Sequence, residues 1–296
     1  MSIKEKNRIG EKNRRKEKII EIFFLLLACI FIVAVVVISI FLFANGFPAM
    51  LEIGIKEFLF GTKWRPVEEL YGIFPMIVGS IYATIGAILI GVPIGILTAV
   101  FMAKICPKKL YKILKPAVEL LAGIPSIVYG FFALVVIVPI VRNLFPGNGL
   151  SLFTACLLLG IMILPTIIGV AESAIRAVPE AYYEGALALG ATRERSLFFV
   201  VLPAAKSGIS AGVVLGIGRA IGETMAVNMV AGNQKIIPES LFSGVRTLTT
   251  NIVLEMGYAT DLHREALIAN GVILFLFILI INGVFFFLKG KKGATV

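Results

Sequence analysis

The chain has 296 residues, 58% of them apolar and only 16% charged, with a mean hydropathy of +0.97 and a net charge of +10. Soluble domains run at about 45–50% apolar and about 25% charged, so this chain has too little polar side chain to clothe a water-facing surface. One His and three Cys, at positions 29, 106 and 156, exclude a clustered zinc or iron–sulfur motif, and the cysteines read as reduced residues packed in or beside membrane helices.

Six stretches are apolar for the roughly 20 residues that a helix needs to cross a hydrocarbon core. They are Ile19–Phe43, Ile73–Ala103, Leu120–Val141, Leu150–Ala171, Ser207–Gly232 and Ala266–Leu288, which makes an all-α polytopic membrane protein. The first follows Lys12, Arg14, Arg15, Lys16 and Lys18 in the manner of a signal peptide, but residues 22–51 carry no charge. That is far beyond a cleaved h-region of ~7–15 residues, so the segment reads as a retained helix. The resulting divisions are a basic tail over 1–18, a first helix over 19–43, an outer loop over 44–72, a five-helix core over 73–288 and a short tail over 289–296. The core contains an inner loop at 172–206 and an outer loop at 233–265.

Twenty of the 28 Lys and Arg residues fall in the tails and the loops at 104–115 and 172–206, and seven fall in the opposite loops. By the positive-inside rule both termini are cytoplasmic. The basic N-terminal tail then sets topology and meets anionic headgroups, and nucleic acid is not needed to explain it.

Inside the membrane, Pro75, Pro93 and four glycines punctuate the second span, and Gly123-Ile124-Pro125-Ser126 lies near the start of the third. Such residues serve tight helix packing, or breaks that line a polar path. The fifth span carries Gly218-Arg219-Ala220-Ile221-Gly222-Glu223-Thr224. Read as continuous helix, it places Arg219 near the midplane and Glu223 one turn above on the same face, with Thr224 and Asn228 adding hydrogen-bonding groups. A charge at that depth costs about 2.5–3.5 kcal/mol on insertion scales, so Arg219, Glu223, Thr224 and Asn228 are candidates for a substrate path. A guanidinium fork suits a tetrahedral oxyanion. The competing reading is a buried ion pair that only fixes helix rotation.

The inner loop contains Glu184-Gly185-Ala186, three residues, Gly190, nine residues, and then Val200-Val201-Leu202-Pro203. Pro179-Glu180 suits a helix start, Gly190 a left-handed stop, and Thr192 the cap of a second short helix. The spacing resembles the EAA loop of ABC-importer membrane subunits, with Gly185 and Val200 as small departures. Trp64-Arg65-Pro66, Gly123–Gly130, Gly218–Val227 and Thr247–Gly257 extend the likeness over nearly the whole chain after residue 19. Together these segments are similar to the PstC-type permease subunit of the phosphate-specific ABC importer, and Met225-Ala226 after Gly-Glu-Thr separates the chain from the PstA type.

The resemblance implies the type I importer permease fold and a complex with several parts. A second, PstA-type permease would complete the pathway in the lipid bilayer, and an extracytoplasmic phosphate-binding protein would deliver substrate. Two copies of a cytoplasmic ABC ATPase would bind the coupling helices of the two permeases, in this chain at Glu184, Gly185, Ala186, Gly190, Leu202 and Pro203. It implies no cofactor and no metal, and the chain has no Gly-x-x-x-x-Gly-Lys-Ser/Thr loop of its own. Trp64, Arg65 and Arg246 are candidates for docking the binding protein, since the outer loops are longer than most connections. Permeases for molybdate, sulfate or phosphonate, and a subunit that only relays phosphate status, are the alternatives. A membrane enzyme is disfavoured because His263, the sole histidine, falls in an outer loop.

Overall fold

The computed structural model describes the backbone of residues 3–290 and the side chains of residues 17, 18 and 20–283. The side chains of Lys12, Arg14, Arg15 and Lys16, and the C-terminal residues 291–296, lie outside the described residues. Helix α1 (Ile3–Ile53) is followed by the short α2 (Ile55–Phe60) and a small hairpin of β1 (Trp64–Arg65) and β2 (Leu70–Tyr71). Then come α3 (Phe74–Val100), α4 (Lys108–Gly123), α5 (Ser126–Phe132), α6 (Val138–Leu144) and α7 (Leu152–Arg176). The inner loop holds α8 (Glu180–Ala188), α9 (Arg193–Ser196) and α10 (Leu202–Ala204), and the chain closes with α11 (Lys206–Gly222), α12 (Met225–Val230), α13 (Leu248–Glu255) and α14 (Asp261–Gly290).

Among the described residues five helical segments are long and apolar enough to span a membrane, and a bent pair makes a sixth. Three boundaries differ from the sequence reading. The first span lies inside one helix running from Ile3 to Ile53, so residues 3–18 and 44–53 are helical rather than tail and loop. The third span begins at Ser126 and not at Leu120, because Ile124 and Pro125 take extended backbone angles (ψ 128° and 140°) that end α4. The fifth is preceded by a 72° bend between Arg193–Ala204 and Lys206–Gly222 and is interrupted where the helix stops at Gly222. At 1.5 Å per residue the 17 residues of α11 reach about 25 Å, short of a ~30 Å hydrocarbon core, and α12 completes the crossing beyond the break.

α3 and α7 form the centre, with α11 laid against α7 and α12 against α5. Little hydrophobic force acts between helices in lipid, so close approach must supply the attraction, and glycines permit it. A Cβ on Gly91 of α3 would stand 2.6 Å from the Ile163 side chain and 2.7 Å from the Gly160 carbonyl oxygen of α7. One apolar cluster, including Ala87, Leu159, Met162 and Ile163, fills this centre. A second, around Trp64, Tyr71, Met76 and Leu248, packs under the outer segments, and a third, around Ile175, Leu197 and Val201, packs at the inner end. α1 packs on α14 and leaves its apolar flank outward, as lipid contact requires.

The seam predicts an asymmetry between glycines. Gly91→Val must displace the α7 backbone at Gly160, at a cost of about 1–3 kcal/mol. Gly169→Ala meets nothing within 4 Å. Thermal unfolding in detergent should show a clear fall in midpoint for the first and none for the second.

Candidate functional site

Arg219 occupies the last turn of α11, three residues before the helix stops. Glu223 leaves the helix with φ −68° and ψ 127°, so the single-face stacking expected of Arg219 and Glu223 does not form. No ion pair joins the two among the described residues. The Glu223 carboxylate instead turns to the N-terminus of α12, where its Oε1 accepts the backbone N–H groups of Thr224 and Ala226, both at 3.1 Å. A carboxylate there offsets the positive end of the helix and satisfies donors that the break exposes. Arg219 Nη1 reaches Thr166 Oγ1 of α7 at 3.5 Å, the limit of a hydrogen bond. Sequence reading missed Thr166, whose only local signal is a hydroxyl beside Pro165 in an apolar span.

Thr224 donates its hydroxyl to the Gly222 carbonyl at 3.1 Å, closing the broken turn. Asn228 accepts from Asn233 Nδ2 through both its carbonyl (2.8 Å) and its side-chain oxygen (2.9 Å). The four pathway candidates therefore share one broken segment, with a cation directed to α7 and an anion already engaged by backbone.

The inner loop folds as its spacing predicts. α8 starts after Pro179 and carries Glu184, Gly185 and Ala186. Gly190 takes φ +85°, a conformation costly for any other residue but Asn or Asp, and nothing stands within 4 Å of where its Cβ would be. Thr192 caps α9 by accepting the Arg195 N–H at 3.3 Å. Leu202 and Pro203 lie on α10. The loop presents Tyr182 and the 91% exposed Leu189 outward. Lys104, after α3, holds Glu180 at 2.6 Å and thereby ties the loop to the second span.

Two buried carboxylates that sequence reading did not single out organise the ends of the bundle. At the inner end, Glu172 of α7 accepts from Tyr111 Oη (2.7 Å), Lys115 Nζ (2.9 Å) and Arg176 Nε (2.8 Å). Its i,i+4 partner Arg176, at the close of an apolar run, was the available signal. At the outer end, Glu255 of α13 is 2% exposed at its side chain and meets Lys235 (2.6 Å), Arg246 (2.6 Å), Trp64 Nε1 (2.8 Å) and His263 Nε2 (3.1 Å). Arg246 also donates to Asn251 Oδ1 and to the Asn233 carbonyl, both at 3.1 Å. Burial raises the Glu255 pKa, but the hydrogen bonds from Lys235, Trp64 and Arg246 outweigh that and bring it from 4.5 to about 2.

This cluster bears on the docking expectation. Trp64 and Arg246, at 2% and 9% exposure, act first as internal fasteners, and Trp64 also forms part of the wall of an outer groove. Arg65 is exposed, paired with Glu68 at 3.0 Å on the hairpin. It shares a groove of about 800 Å³ with Lys63, Pro66, Val67, Lys235, Ile236 and Ile237.

A bundle of this kind, broken at the fifth span and carrying an inner helix–turn–helix, belongs by sequence to a family of transport-system membrane components. The model for binding-protein-dependent transport system inner membrane components matches residues 91–291, and the chain belongs to that family. Its curated relatives include the probable ABC transporter permease protein YqgH of Bacillus subtilis (strain 168), 43% identical over 266 residues and 86% of each chain. The phosphate transport system permease protein PstC of Pasteurella multocida (strain Pm70) is 36% identical over 294 residues, covering 90% of this chain and 91% of that one. Among solved structures, a bacterial ABC transporter involved in the import of the acidic polysaccharide alginate superposes with a TM-score of 0.57 at 18% identity, over 88% of this chain and 94% of that one. The MetNI methionine ABC transporter gives 0.56 at 22% identity, over 75% and 96%. These two likenesses establish the fold alone.

The outer cluster generates a pH prediction. A carboxyl depressed from 4.5 to about 2 stabilises the folded state above pH 4.5, and that contribution is lost as pH falls toward 2. Its full size is about 3 kcal/mol. Wild type should therefore exceed Glu255→Gln in melting midpoint at neutral pH, with the gap closing between about pH 4.5 and 2. Emission from Trp64, the chain's one tryptophan, should report the same transition.

Proposed function

We infer that the chain is a membrane-spanning permease subunit of an ATP-driven importer of inorganic phosphate. The observation that carries this reading is the relation to PstC of Pasteurella multocida over nine-tenths of both chains, with a cation standing at the break of the fifth span. In this reading Arg219 offsets phosphate charge during passage, and its planar fork matches two phosphate oxygens better than a point ammonium could. Glu223 keeps the empty site from trapping anions. Its carboxylate holds the amides at the start of α12, which phosphate would otherwise contact, and release of those amides accompanies passage. Thr224 and Asn228 offer the remaining polar surface.

A second, PstA-type permease completes the pathway, and both termini face the cytoplasm. Two ATPase copies bind the coupling helices of the two permeases, one of them seating on α8 through Glu184, Gly185, Ala186 and Gly190, backed by Leu202 and Pro203. Hydrolysis belongs to that partner, whose closure moves α8 as a rigid body and, through Lys104–Glu180, the inner end of the second span. An extracytoplasmic phosphate-binding protein rests on Arg65 and the neighbouring groove, with Trp64 and Arg246 supporting that surface from beneath.

Uptake by the assembled complex tests the pathway. Arg219→Gln should lower phosphate transport by about 10- to 100-fold at unchanged complex yield, and Arg219→Lys should recover part of it. A double Arg219→Leu/Glu223→Leu complex that transports normally would overturn the pathway role. Gly190→Val tests coupling separately. It should reduce both co-purified ATPase and uptake while the subunit still inserts, and normal ATP-driven uptake would remove α8 from the coupling role.

A further inference from the structure

α4 joins the inner ends of the second and third spans, on the side that carries the 172–206 loop. Pro107 precedes it, and the extended Ile124 and Pro125 end it, so its 16 residues form a separate rod of about 24 Å. None of its residues is buried. Its side chains divide into three longitudinal strips. Tyr111, Leu114, Lys115 and Val118 are half-buried on the side turned to α7, where Tyr111 and Lys115 hold Glu172. Leu110, Ile113, Ala117, Leu120 and Leu121 form an open apolar strip, with Ile113 68% and Leu120 73% exposed. Lys108 and Lys112 lie on the far side of the rod from the centre of that strip, with the exposed Glu119 between them, and Lys109 lies at the strip's edge beside Leu120; the three lysines are exposed and without an ion-pair partner among the described residues.

An exposed apolar strip and unpaired lysines on one helix, placed at the end of two membrane spans, match the two layers of an anionic membrane surface: acyl chain below, phosphate headgroup above. We propose that α4 lies in the membrane interface and binds anionic phospholipid, with Lys108, Lys109 and Lys112 on the headgroup phosphates and Ile113 and Leu120 among the acyl chains. The long lysine stems can follow the rod while their ammonium groups stay at headgroup level. Because Lys115 and Tyr111 grip Glu172 from the same helix, lipid held by α4 also fixes the inner end of α7. This follows from the spans and from α4 alone, and it stands or falls independently of which solute is transported.

The test uses the full chain, alone and co-assembled with its transport partners, in phosphatidylcholine vesicles doped with a photoactivatable phospholipid. Adducts on residues 108–121 are located by mass spectrometry. A phosphatidylglycerol probe should label this segment at least about threefold more than a phosphatidylcholine probe of identical acyl chains. Lys108→Gln/Lys109→Gln/Lys112→Gln should abolish that preference without lowering the melting midpoint, and labelling of Ile20–Phe43 should stay as it was. Equal labelling by both probes would overturn the proposal, since the helix would then meet lipid without reading its charge. Loss of all lipid adducts on 108–121 in the assembled complex, with cross-links to a partner permease in their place, would overturn it as well.

Discussion

In hydrocarbon no water is available to a freed amide, so a helix that stops inside the membrane must have its backbone satisfied by other protein groups. The break after Gly222 imposes that constraint, and much of the outer half of the fold answers it. Glu223 takes two of the freed N–H groups, and its own carbonyl accepts the Thr249 hydroxyl at 3.1 Å. Thr249 can stand there only because α13 is itself suspended. The Leu248 N–H donates to Ser80 of α3 at 2.9 Å, and Asn270 of α14 donates to the Leu248 carbonyl at 3.1 Å. The far end of α13 is Glu255, with its four donors from the hairpin, the outer loop and α14. Break, α13 and outer cluster thus form one continuous polar construction.

Charge is distributed accordingly. The two most thoroughly satisfied carboxylates, Glu172 and Glu255, sit at opposite ends, each at 2% side-chain exposure and each with at least three donors. Such sites are costly to open, because removing a partner leaves a buried charge. Between them Arg219 has a single long contact to Thr166. A group held this loosely can exchange its partner for a passing anion at little cost, whereas the clamps at either end keep the surrounding helices in place.

The sequence made legible whatever depends on local chemistry or on bulk hydrophobicity. The helix start at Pro179, the left-handed Gly190 and the Thr192 cap follow from residue type and spacing and stand where expected, whereas the six apolar segments were legible in number but not in all their boundaries. Contacts between distant segments were not legible. Trp64 and Glu255 are 191 residues apart, and nothing local marks them as partners. Trp64 and Arg246 looked like surface residues because they lie in outer loops, but that loop region has its own apolar cluster and polar interior. The break at Glu223 was obscured because Gly-Glu-Thr sits within an otherwise apolar run, where hydrophobic length argues for one uninterrupted helix. The family likeness supplied the assembly, which periodicity alone does not contain.

Three wide turns of π-helix, at Phe101–Ile105, Ala133–Ile137 and Leu197–Val201, each accommodate an extra residue. In the third span the interior positions run Tyr129, Gly130, Ala133, Val138 and Val141, with intervals of one, three, five and three. The interval of five is the inserted residue, and it resets the angular phase of everything downstream. A helical wheel drawn straight through residue 135 would misplace every side chain in the second half of this span by about 100°. Removing one residue from 133–137 would therefore convert the turn to ordinary α-helix while keeping Val138 and Val141 inward. The same deletion in the regular α7 would rotate every later side chain out of place.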